Sequence, residues 1–105
     1  MAQVKAVFLL PLSDNDGRTL SAEVADAEAE VYRLFGRWTR RGPVGGTYKM
    51  PDGSQALDHS TEYTRLLDER QLPELERVLK EFRSKTRQDA IYLELTFDVN
   101  VRNVR

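Results

Sequence analysis

Asp58 and His59, followed by Glu62 and Tyr63, form the one stretch of this chain in which a side chain titrating near neutral pH lies beside carboxylates. An aspartate next to a histidine can orient the imidazole and raise its basicity, and histidine is the usual general base. On a strand, however, neighbours point to opposite faces, so Asp58 and Glu62 would share one face while His59 and Tyr63 share the other. The sequence also holds no G-x-S-x-G elbow and no second histidine from which a hydrolytic triad could be assembled. The run from Asp58 to Glu62 is polar throughout, and the expectation is a solvated or hydrogen-bonded structural histidine. The catalytic alternative is a small cofactor-independent enzyme using His59 with Asp58 or Glu62.

A second constellation is Arg37-Trp38-Thr39-Arg40-Arg41, which runs into Gly42-Pro43-Val44-Gly45-Gly46. Three guanidiniums with an indole can grip an anion and stack a ring, and a glycine-rich loop can turn backbone N–H groups toward negative charge. No Lys-Ser or Lys-Thr follows the glycines and no G-x-G-x-x-G is present, so neither nucleotide-binding loop is signalled. The competing reading is an exposed loop whose arginines pair with acidic residues between Glu23 and Glu30, and whose Trp38 covers a sheet edge. With the amphipathic Tyr48 and Tyr92 added from the open sheet face, the candidate ligand-binding set is Arg37, Trp38, Arg40, Arg41, Tyr48 and Tyr92. It suits a small anionic ligand or a partner protein. No catalytic residue, metal ligand or cofactor is assigned.

Composition limits the chemistry further. The chain has 105 residues, no Cys and a single His, which removes disulfides, thiolate nucleophiles, Cys-based metal sites and multi-His centres. Sixteen basic residues against 17 acidic ones leave a net charge of -1, so whole-molecule attraction to nucleic acid or an anionic membrane is not expected. The opening Met1–Leu12 has the outline of a weak leader, but Pro11 interrupts it and the following Ser13-Asp14-Asn15-Asp16-Gly17 offers no small-x-small cleavage site. No apolar run approaches the length of a membrane span. One domain over residues 1–105, cytoplasmic, is the expectation.

The elements that would position these residues follow from periodicity. Val4, Ala6, Phe8, Leu10 and Leu12 alternate as on a strand. Leu20, Val24, Ala27, Val31 and Leu34 recur at helical spacing over about 15 residues, with Ser21 placed to cap and Gly36 to stop. Pro51-Asp52-Gly53 marks a hairpin turn between Gly46–Met50 and Ser54–Leu57, and Ser60–Leu67 reads as a further strand with Tyr63 inward. Pro73 opens a second helix with a stripe of Leu72, Leu75, Val78, Leu79 and Phe82, ending near Lys85 or Thr86. Ile91, Leu93, Leu95, Phe97 and Val99 alternate over the last strand. This order predicts an α+β fold: a ferredoxin-like βαββαβ two-layer sandwich, an antiparallel sheet with two helices on one face and an extra hairpin.

Leu34-Phe35-Gly36, Gly46-Thr47-Tyr48, Asp52-Gly53, Asp58, Tyr63 and Gln88-Asp89-Ala90-Ile91-Tyr92 resemble spacings found in small uncharacterised prokaryotic or phage proteins of ferredoxin-like pattern. The resemblance spans about two thirds of the chain. It implies turn glycines and core aromatics, with no activity or functional residue attached.

The same element order occurs in RNA-recognition domains, which read bases with aromatics on two central strands. Val7–Leu12 superficially resembles the first of those motifs, but Ser60–Leu67 lacks the glycine and basic start of the second, and Phe8 belongs to the apolar face of its strand. A two-layer fold leaves one sheet face open, bearing Tyr92, Glu94, Thr96 and Asp98 and, by expectation, Tyr63 and Tyr48. The reading that results is a non-enzymatic ligand-binding or protein-interaction module that self-associates through its sheet as a homodimer, with Val101 and Val104 at the contact.

Overall fold

The structure, a computed structural model, describes residues 3–105, the side chain of Tyr48 excepted. Met1 and Ala2, the start of the leader outline, lie outside the described residues. Alternation places Val4, Ala6, Phe8 and Leu10 on one buried face of β1 (Gln3–Pro11). Helix α1 (Ser21–Phe35) is rich in alanine, the best helix former, and buries Val24, Ala27, Val31 and Phe35 at three- and four-residue spacing. It ends at Gly36, whose φ of 83° is the left-handed conformation open to glycine, and whose N–H donates to the Tyr32 carbonyl. Ser21 does not cap this helix. The preceding residue is the buried Leu20, and the Thr19 hydroxyl instead accepts from the Ser21 N–H at 3.4 Å.

Strand β2 (Thr39–Lys49) and strand β3 (Gln55–Asp68) follow, joined by the turn at Pro51–Gly53. Helix α2 (Leu72–Thr86) then starts with Pro73 in its first turn and buries Leu75, Val78, Leu79 and Phe82. Strand β4 (Leu93–Phe97) closes the sheet in the order β2-β3-β1-β4, with every pair antiparallel. This is the ferredoxin-like two-layer sandwich that the element order predicts.

Three expectations are corrected. The segment expected as the loop Arg37–Gly46 is mostly strand, since β2 runs from Thr39 and absorbs Gly42-Pro43 in a bulge between Arg41 and Val44. An edge strand tolerates proline because its outward N–H needs no ladder partner, which is why glycine and proline hid it. The hairpin expected as an extra element is the outer arm of β2 and β3 themselves, where residues 55–59 pair with β2 beyond the end of β1. The last strand spans five residues rather than nine: β4 pairs with Val4–Phe8 of β1, and the chain leaves the extended conformation at Asp98, whose φ is 57°.

Both helices pack on the face carrying Phe8, Leu10, Tyr63 and Leu67. Tyr63 stacks on Phe8 with ring centroids 5.2 Å apart and is 1% exposed. It therefore belongs to the core, as the inward reading of Ser60–Leu67 expects, and the expectation of Tyr63 on the open face is corrected. That opposite face carries Lys5, Val7 and Leu9 of β1, with Glu62, Thr64 and Leu66 of β3 beside them.

Candidate functional site

Strand alternation divides the arginines that the sequence places in one run. Arg40 pairs across from Tyr63, and so takes the helix side. There its Nη1 donates to Glu28 Oε2 at 3.0 Å and its guanidinium lies over the Trp38 ring, 5.4 Å from the centroid. Trp38 is half-buried: its Nε1–H donates to the Glu28 carbonyl at 3.1 Å and its ring meets Tyr63 edge-on at 5.6 Å. Burial first, and then the Glu28 carboxylate, push the Tyr63 phenol well above its ordinary range. Arg40 and Trp38 thus tie β2 to α1, and the expected pairing of the arginines with the acidic helix holds for Arg40 alone.

Arg41 takes the open side, where it reaches Glu62 at 3.0 Å. Register extends this pair into a row across the whole sheet: Arg41 opposes Glu62, Glu62 opposes Leu9, and the Leu9 N–H donates to the Tyr92 carbonyl at 3.3 Å. The row beside it is Thr39, Thr64, Val7 and Glu94. The Tyr92 hydroxyl donates to Glu94 Oε1 at 2.6 Å, and this bond to a carboxylate raises the phenol pKa. Val7 and Leu9 remain only partly covered. The open face therefore offers an apolar floor bordered by one guanidinium, two carboxylates and a phenol. Such a surface can seat a flat ring while directing donors and acceptors at its edge.

Of the six candidate binding residues, the structure brings Arg41 and Tyr92 onto this face. Arg40 and Trp38 go to the helix side, and Arg37 lies beyond the start of β2 at the sheet edge, next to Arg65. Tyr48 pairs through its backbone with Ala56 in the outer arm, and its side chain lies outside the described part of the structure. His59 is exposed and opposes Gly45, while Asp58 and Glu62 alternate to the other face and Glu62 is engaged by Arg41. The groups required by the catalytic alternative are therefore not brought together. Among the described residues, no cluster of three or more His, Asp or Glu side chains is placed to hold a metal ion.

Sequence reasoning missed Arg65. Its signal was parity, because a cation stands on the same side of the strand as the buried Tyr63 and Leu67.

No protein-family model matches this sequence, and no curated protein does. Among solved structures, a phage SAM lyase in complex with S-methyl-5'-thioadenosine is similar to this chain with a TM-score of 0.60, over 90% of this chain and 80% of that one, at 18% identity. At that identity the likeness is one of fold. A small domain of this architecture thus binds a ligand in the neighbour. No helix among the described residues is long and apolar enough to cross a membrane.

Proposed function

We propose that this chain, acting as one domain over residues 1–105, is a ligand-binding module whose open sheet face takes a small nucleoside-type molecule, with a second copy closing the site. The observation that supports this reading most is the row Arg41, Glu62, Leu9 and Tyr92, running across β2, β3 and β1 to the residue just before β4, with Glu94 beside it. A purine suits the Val7 and Leu9 floor with Tyr92 at its margin, and a ribose diol suits either carboxylate as a bidentate acceptor. The S-methyl-5'-thioadenosine held by the phage lyase has this chemistry, and it is the probe of choice.

A flat face covers one side of a ligand only, whereas small-molecule sites bury most of the ligand's surface. The homodimer expected from the sequence would supply the missing wall through an isologous contact. A cytoplasmic setting accompanies this reading. The enzymatic alternative through His59 would need a carboxylate on its own face of the strand, and Asp58 and Glu62 stand on the other.

Thermal melting with S-methyl-5'-thioadenosine tests the proposal. A ligand at about ten times its Kd stabilises the native state by about 1.4 kcal/mol, which raises the Tm of a domain this size by several degrees. Light scattering on the same samples should give a particle of twice 12.1 kDa. An unchanged Tm at millimolar probe would remove the ligand reading, and a monomeric mass would remove the second wall.

A further inference from the structure

Pairing between β2 and β3 ends at Thr39 and Thr64, but β3 continues to Asp68, so among the described residues its last ones have no strand partner on that side. Arg37 and Trp38 turn toward this gap from the α1–β2 connection, and Val101 approaches from the C-terminal segment, leaving a cavity of about 400 Å³. Arg37 and Arg65 both line it, close enough for their charges to repel. Arg65 donates from Nη2 to the Phe35 carbonyl at 2.8 Å, while its Nε is buried with no acceptor. Arg37 is exposed.

No Asp or Glu lines the cavity, and among the described residues neither Arg37 nor Arg65 forms an ion pair. The neighbouring Arg40 and Arg41 both do. A half-buried cation is costly unless a counter-charge accompanies it, and a second cation beside it adds repulsion. Burial and the charge of Arg37 both lower the pKa of Arg65, as that repulsion requires. The other polar residues of the lining, Gln3, Thr39, Thr64 and Asn103, are neutral. The residues lining the cavity are therefore all cationic or neutral, and what would complete it is a negative charge.

We infer that this cavity is an oxyanion site, in which Arg37 and Arg65 together hold the carboxylate or phosphate group of a small molecule. Guanidinium forks bind both groups with paired, charge-assisted hydrogen bonds. The inference does not rest on the open-face reading, since it uses neither Tyr92 nor the carboxylates there.

Trp38 borders the cavity and is the only tryptophan in the chain, so its fluorescence reports on this place alone. The full chain is titrated with sodium phosphate, and separately with sodium acetate, sodium chloride keeping ionic strength constant. The expected result is a saturable change with at least one oxyanion, weakened about tenfold or more in Arg37→Ala while its Tm stays at the parent value. Saturation by phosphate alone assigns a phosphate ligand, and saturation by acetate alone a carboxylate. A response to neither anion overturns the site, as does a response that Arg37→Ala leaves unchanged. Should Arg37→Ala melt early, Arg37→Gln, closer in length, gives the same comparison.

Discussion

At the scale of single residues, neighbours in sequence have separate employment. From the sequence, Arg37, Arg40 and Arg41 all look like surface charges with little part in folding. Arg40, however, joins β2 to α1 through Glu28 and lies over Trp38. An exposed ion pair with a cation–π contact contributes about 1 kcal/mol. Arg40→Ala should therefore lower the Tm by about 4–8 °C, while Arg41→Ala should stay within about 0.5 kcal/mol of the parent. Equal melting curves for the two variants would contradict this division. Tyr63 supplies a second case. Its ring stacks on Phe8 in the core, and its hydroxyl is buried without a hydrogen bond. Removing an unsatisfied buried hydroxyl costs little, whereas removing the ring leaves a cavity. Chemical denaturation should place Tyr63→Phe within about 0.5 kcal/mol of the parent and Tyr63→Ala about 3–5 kcal/mol below it.

At the scale of elements, the two helices are held to one another by charge as well as by apolar packing. Glu30 of α1 accepts hydrogen bonds from Arg33 on its own helix and from Arg77 of α2. These bonds, that of Arg33 first, hold its carboxyl down at about 2 against an ordinary value of 4.5. A carboxyl depressed on folding stabilises the native state above its unfolded pKa, and the contribution fades as pH falls toward the folded one. Stability from Glu30 should thus be present at pH 7 and diminish from about pH 4.5 toward pH 2. Melts at pH 7 and pH 3 should show a smaller acid-induced loss in Glu30→Gln than in the parent. An equal loss in both would mean that the pair adds nothing. Gly42 sets the other element-scale constraint. Its φ is 145°, and a Cβ there would lie 3.2 Å from the Ser60 carbonyl oxygen, inside the bulge that shifts β2 by one residue. Gly42→Ala should destabilise by more than about 1 kcal/mol, read as a fall in Tm. An unchanged Tm would show that the bulge can relax.

These same elements show where the sequence was legible. Both helices could be read, since Val24, Ala27 and Val31 repeat at helical spacing and Gly36 and Pro73 punctuate them. The buried alternation of β1 was equally plain. Strand β2 was not, because Gly42, Pro43, Gly45 and Gly46 carry turn chemistry that only a bulged edge strand can accommodate. Nor could β4 be measured in advance. Its apolar alternation continues past Phe97, but Asp98 takes a φ of 57°, which breaks the extended strand, and no pattern of side chains announces that turn. For the site, Arg41 and Tyr92 were legible as residue types, yet their meeting in one row depends on a register that runs across the whole sheet.

At the scale of the whole molecule, the helices cover one side of the sheet and leave the other to Val7, Leu9, Glu62, Tyr92 and Glu94. Whether this face binds a nucleoside is read by calorimetry with S-methyl-5'-thioadenosine, the parent chain compared with Tyr92→Ala. Tyr92 is 53% exposed and sits outside the core, so its truncation should leave the fold intact. The expected result is saturable binding to the parent and an affinity about tenfold lower or worse in Tyr92→Ala, at an unchanged Tm. Absence of binding to the parent, or equal affinity in the two proteins, would contradict it.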